Sequence, residues 1–232
     1  MKRIKTLFLT ALCLCLFSVI FSVTASAERQ VIEWDGKSEI VAGNTYIITD
    51  TVKLKKQVEI PDGAKLSVKD GGVLKIYSKG GLLVNGELAV AKGGKLTNSG
   101  LINVKKKADF NIYGSFQSSV SATLKVSGNM TVYNKGTAEI SSTVLLYKSS
   151  NILIKGKTDF YKSSDVTLSG AIKTEEGSGL SMGGKFAITA SGSVDVFGHL
   201  KVGTKSDVRI SGVLTLEEVS SYTRFRVVHT TK

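Results

Sequence analysis

Glycine recurs every fourteen residues along most of this chain. Gly72, Gly86, Gly100, Gly114, Gly128, Gly156, Gly170, Gly184, Gly198 and Gly212 fall in one phase, and only Ser142 interrupts the row. With 24 glycines in 232 residues, composition alone does not produce such a comb. The unit it marks reads G-x-Φ-x-Φ-x-x-x-small-x-Φ-x-Φ-x, where Φ is apolar. Gly86-Glu87-Leu88-Ala89-Val90 and Gly198-His199-Leu200-Lys201-Val202 carry the same first half more than a hundred residues apart. Apolar residues two apart predict short strands with one buried face. Repetition at a fixed period predicts stacked rungs rather than a closed globule. Gly and Ser between the strands suit tight corners, and no stretch beyond the N-terminal segment shows a helical period. The expected fold is all-β: a single-domain parallel β-solenoid (β-helix) built from 14-residue sequence repeats, with an N-terminal cap.

Two coil sizes fit this pattern. A fourteen-residue coil would have two faces. Because apolar pairs are alternately about eight and six residues apart, three of them would make a coil of twenty to twenty-two. Outward charges favour the smaller coil, since Lys125 and Glu139, Asp159 and Lys173, and Asp195 and Arg209 are each fourteen apart and would then meet across neighbouring strands. Eleven such coils at ~4.8 Å give a rod on the order of 50 Å long.

The ends differ from the repeat. Lys2, Arg3 and Lys5 precede an apolar run from Leu7 to about Val23 and an Ala25-Ser26-Ala27 site, the three-part pattern of a signal peptide over residues 1–27. A secreted protein at the cell surface or outside it follows, with no transmembrane segment after cleavage. Both cysteines, Cys13 and Cys15, lie in that segment, so stability must come from packing and backbone ladders. Losing three of 31 basic residues leaves 28 against 19 acidic ones, about +9. That charge suggests anionic neighbours such as acidic polysaccharide or wall polymer. Residues 28–62 read as an N-terminal capping segment, with Trp34 covering the end of the core. Residues 63–218 carry the repeats. Residues 219–232, with Tyr222, Phe225 and Val227-Val228, form a C-terminal cap or tail.

The repeats, with runs such as Gly94-Lys95-Leu96-Thr97-Asn98-Ser99-Gly100-Leu101-Ile102-Asn103-Val104, resemble the pectin-lyase-like and related parallel β-helix proteins of bacterial surfaces. A weaker resemblance is to bactofilins, which work inside the cell. The first resemblance implies either polysaccharide lyases and hydrolases or adhesin stalks and structural rods. A lyase of that kind would need acidic calcium ligands and a basic catalytic residue, and a glycosidase two carboxyl groups ~5–10 Å apart. The outward carboxylates Asp109, Asp159, Asp165, Asp195 and Asp207 are scattered along the repeats, and Asp165 and Asp207 lie three units apart. His199 and His229 are the only histidines, and no metal-binding spacing appears. No catalytic residue, metal or cofactor is assigned.

One constellation stands out. The turn after the first apolar pair collects Lys79, Lys92, Lys105, Lys106, Lys107, Lys135, Lys148 and Lys162, with Tyr77, Tyr133, Tyr147 and Tyr161 at its first position. If coils stack at fourteen residues, these side chains line one edge, with Lys92 beside Lys106 and Lys148 beside Lys162. Such an edge could stack on sugar rings and pair with uronate, sulfate or phosphate. The competing reading is a tyrosine ladder with solubilising lysines, which stabilises a solenoid without any ligand. The expected function is a non-catalytic surface, matrix or adhesion component binding an anionic polysaccharide or wall polymer, without specific nucleic-acid recognition. The alternatives are a lyase or hydrolase, and a structural rod that self-associates end to end.

Overall fold

In a computed structural model, residues 30–217 and the backbone of Ser221–Thr223 are described. The residues read as a signal peptide and most of the proposed C-terminal cap lie outside them. The chain is a parallel β-solenoid of short strands arranged in three sheets of ten, nine and eight strands. They are called here the first, second and third faces, in the order in which the chain visits them. Strands are four residues long through the coils, and their second and fourth side chains point inward, as in Leu101–Val104 and Thr123–Val126.

The coil is not fourteen residues. Lys65 on the first face stands opposite Glu87, twenty-two residues on, and Asp109 stands opposite Asn129, twenty residues on. Two kinds of corner explain both values. Ser99 and Gly100 make a two-residue corner between Lys95–Asn98 and Leu101–Val104, whereas residues 91–94 make a four-residue corner closed by Gly94 N–H donating to Ala91 O at 2.9 Å. Long and short corners alternate from Gly81 onward. One fourteen-residue repeat spans two strands, but one coil takes three. Successive coils therefore contain either two long corners and a short one, or the reverse. About eight coils form, and the ten-strand face spans about 40 Å at ~4.8 Å per strand.

The charge pairs expected at fourteen residues are accordingly not opposed. Lys125 lies between Asn103 and Leu145. Glu139 faces Asp159 rather than Lys125. Lys173 faces Asp195, leaving Arg209 beside Ala187.

The odd strand count has a second consequence. From Gly81 onward each edge of the rod alternates between long and short corners from coil to coil, and the comb glycines from Gly86 onward sit in short corners directly over long ones. A Cβ on Gly128 would lie 2.3 Å from both Ala108 O and Lys105 O of the coil before it. These glycines are required by close approach. The fourth residue of the long corners is small and, up to Gly192, buried for a related reason, as in Ala108, Ala122 and Ser178.

The core is a single column of inward side chains, with Phe110 against Phe116 and Phe160 against Phe186, both pairs edge to face. Inward polar side chains such as Thr174 and Asn98 bond to corner backbone: Thr174 Oγ1 accepts the Phe197 and Gly198 N–H groups at 3.0 and 3.1 Å, and Asn98 Oδ1 accepts Gly100 N–H at 3.0 Å.

At the N-terminal end, Val31–Glu33 pairs with Thr45–Ile48, and the three-strand register begins at Thr45, inside the stretch read as cap. Trp34 is buried with the core, and its Nε1 donates to Ser38 O at 2.8 Å. Asp35 Oδ1 accepts from Ser38 N, Lys37 N and Ser38 Oγ. Backbone hydrogen bonds from Ser38 and Lys37 hold its pKa at about 2, below the ordinary value of 3.8. A carboxyl lowered in the folded state stabilises this loop fully above its unfolded pKa and loses that contribution as pH falls toward 2. Protection of the amides around Trp34, measured against the intrinsic exchange rate at each pH, is therefore expected to fall between pH 4 and about 2. Asp35→Asn should flatten that dependence; an unchanged profile in the variant would refute the assignment.

Candidate functional site

The turn lysines and tyrosines do not share an edge. Because the repeat advances two strands while the coil takes three, successive long corners step from one edge to the next. Lys92, Tyr133 and Lys135 lie where the first face meets the second. Tyr77, Lys79, Tyr161 and Lys162 lie between the second and third. Lys105, Lys106, Lys107, Tyr147 and Lys148 lie between the third and first. Lys92 is thus not beside Lys106, nor Lys148 beside Lys162. Beyond residue 94 the long corners on any one edge are two coils apart, ~10 Å, which is about a Debye length at 0.1 M salt and relieves the expected like-charge crowding.

The tyrosine ladder is likewise redistributed. Tyr133, Tyr147 and Tyr161 stand on three different edges, and Tyr133 stacks instead on Tyr113 of the preceding short corner, ring centroids 3.9 Å apart and 14° from parallel. The hydrogen bond to Tyr133, reinforced by burial, pushes the Tyr113 phenol up to about 12. Sequence reasoning misses Tyr113 because it precedes a comb glycine rather than occupying a long turn.

The carboxylates form no buried pair. Asp109 accepts from Asn129 Nδ2 at 2.9 Å, on the first face. Asp165 and Asp207 come closer than three repeat units suggest, only two strands apart on the third face, with Lys185 between them. Both are exposed, and Asp207 is held by Arg209 Nη2 at 3.0 Å. Neither has the buried setting that keeps a carboxyl protonated as a general acid. Among the described residues no cluster of three metal-ligating side chains occurs, and no helix is long and apolar enough to cross a membrane.

What the three-strand coil does assemble is a trough across the second face. Its outward columns run Thr137, Lys157, Gly179, His199 and Glu139, Asp159, Ser181, Lys201. The strand Gly179–Met182 thus presents only a glycine and a serine outward, between two strands bearing long side chains. Two recesses, of about 560 and 470 Å³, share Lys157, Asp159, Ser181 and Lys201 and make one continuous depression. Lys135 and Lys155 lie at the end near the first face, and Lys162 and Lys205 at the other. Lys157 Nζ pairs with Asp159 Oδ2 at 2.9 Å, which raises the lysine's pKa, and Lys155 pairs with Glu175 at 2.9 Å. Of the turn residues singled out in the sequence, Lys135, Tyr161 and Lys162 reach this trough. Its floor and walls could not be found at a fourteen-residue spacing, because Lys157, Gly179 and His199 are twenty-two and twenty residues apart.

No family model matches the chain. No curated protein matches it. Among solved structures, a TibC-catalysed hyper-glycosylated TibA fragment aligns over 84% of this chain and 98% of its own, at 14% identity and a TM-score of 0.18. At those values the likeness carries no argument about function.

Proposed function

We propose that the chain is a secreted, non-catalytic β-solenoid, a surface, matrix or adhesion component that binds an anionic polysaccharide or wall polymer. The observation that carries this reading is the state of the lysines. All eight turn lysines project at corners, and none is in an ion pair among the described residues, whose pairs use Lys65, Lys155, Lys157 and Arg209 instead. A rod with unneutralised cations on all three edges attracts a polyanion from any side. The scattered, exposed or already paired carboxylates favour binding over hydrolysis or elimination, although the repeats resemble those of pectin-lyase-like proteins.

The purified chain should be retained on immobilised acidic polysaccharide at low salt. It should elute as ionic strength approaches 1 M, where the screening length falls to about 3 Å. A column that fails to retain the protein, or retention indifferent to salt, would refute the reading.

A further inference from the structure

We infer that the trough over Gly179–Met182 is a binding site for one strand of a linear acidic polysaccharide, lying across the rod in the direction of the β-strands. This rests on the proposed polyanion-binding function and adds a place, a direction and a ligand class.

The gap in the surface is not one the fold demands. At the comb glycines an added Cβ would crowd backbone carbonyls of the preceding coil, as near as 2.1 Å at Gly100 and Gly212. At Gly179 the nearest atom to an added Cβ is Lys157 Cγ, 3.8 Å away, and the backbone is not left-handed. Glycine is disfavoured in strands, and one that packing does not require, at the first position of Gly179–Met182, leaves the backbone open to close approach by a ligand. At the trough's end, Lys135 holds φ at 68°, where its counterparts Gly71, Gly93 and Gly177 on the same edge are glycines. A left-handed lysine at a site lined by cations is strain of the kind that collects at ligand sites. Lys107 shares that conformation on another edge, so the strain supports the site only together with Gly179.

Dimensions and chemistry select the ligand. The walls are two strand spacings apart, ~10 Å, and the floor from Gly177 to Gly183 runs ~20 Å. One extended chain fits that width, and a double helix is too broad. Lys135, Lys162, Lys201 and Lys205 supply cations at both ends and along one wall, so the ligand must repeat its negative charge along its length. Mid-trough, the Asp159 carboxylate and Ser181 hydroxyl can accept hydrogen bonds, which calls for hydroxyl donors between the charges. The floor strand offers Gly179 and Ser181 outward, and Tyr161 at one end is a single exposed ring rather than the row of aromatics on which successive bases of single-stranded nucleic acid stack. A hydroxyl-rich, regularly charged single chain satisfies all of these conditions.

The test uses the full chain and oligogalacturonates of graded length, with affinity read by calorimetry and folding by circular dichroism. Lys135→Gln/Lys162→Gln/Lys201→Gln should weaken binding by about tenfold or more, against about twofold for the equal-charge control Lys79→Gln/Lys92→Gln/Lys148→Gln. Gly179→Glu, whose Cβ meets nothing nearer than Lys157 Cγ at 3.8 Å, should weaken binding as much as the trough triple. Affinity should rise with oligomer length and level off once the chain spans about 20 Å. Equal losses in both triples, or affinity rising without a plateau, would overturn the trough while leaving general polyanion binding intact. No binding by the unaltered protein at any length would overturn both. Full competition by a single-stranded oligonucleotide of equal charge would overturn the polysaccharide assignment.

Discussion

Gly100→Val is expected to cost about 3 kcal/mol or more and to lower the melting temperature by about 6–12 °C or more. Gly100 lies in a short corner over the long corner 77–80, and its added Cβ would stand 2.1 Å from Gly80 O and 2.4 Å from Tyr77 O. Neither oxygen can move aside cheaply. Gly80 O accepts Leu101 N–H from the coil above at 3.2 Å, and Tyr77 O accepts Gly80 N–H at 2.8 Å to close its own turn. Relief requires breaking a rung or tilting the coil, and a solenoid passes such a tilt to its neighbours because each coil touches only the next. Gly179→Val is the matched control, since it has the same chemistry with no backbone in the way. Thermal unfolding followed by circular dichroism should separate the two clearly. Equal melting temperatures would show that the comb glycines are not required by stacking.

The second large effect is in the core. Phe110→Ala is expected to destabilise the fold by about 3–5 kcal/mol. Phe110 and Phe116 belong to consecutive strands of one coil, both fully buried, with centroids 5.1 Å apart at 80°. A cavity left here has few ways to collapse. Strand ladders on either side fix the axial spacing of the coils, and the core is one column of side chains without a second layer to shift inward. The cost should therefore fall toward the upper end of the range. Urea titration should show a lower midpoint with an unchanged slope. The double substitution with Phe116→Ala should cost less than the two singles together, by about 0.5–1.5 kcal/mol for the lost edge-to-face contact. A loss below about 1 kcal/mol would show that the rod relaxes around the gap.

Both expectations rest on residues whose roles are partly visible in the sequence. The inward positions follow period-two patterning, and Ile102, Val104, Phe110 and Ile112 are buried as that alternation predicts. The small residue in the middle of the unit, such as Ala108 or Ser150, is the buried fourth residue of a long corner. Trp34, expected over the end of the core, is buried with it. The candidate binding edge fared differently. Lys92, Lys106, Lys148 and Lys162 share a position in the repeat without being neighbours in space, whereas Lys157 and His199 flank Gly179 without sharing a repeat spacing with it.

The reason lies in what each level of structure can encode. Strands, corners and inward positions follow from local pattern, because apolar alternation, small corner residues and glycine spacing act within about a dozen residues. By itself the amino-acid order therefore determined an all-β parallel solenoid with two strands per repeat. How many corners close one coil depends on how sharply each corner turns and on how three inward faces fill a common core. Only the tertiary structure decided that three strands, not two, complete a coil. From Gly81 onward, an even-stranded repeat wound on an odd-stranded coil puts each vertical neighbour twenty or twenty-two residues away. That offset disperses the lysine edge over three sides and opens the trough between Lys157 and Lys201.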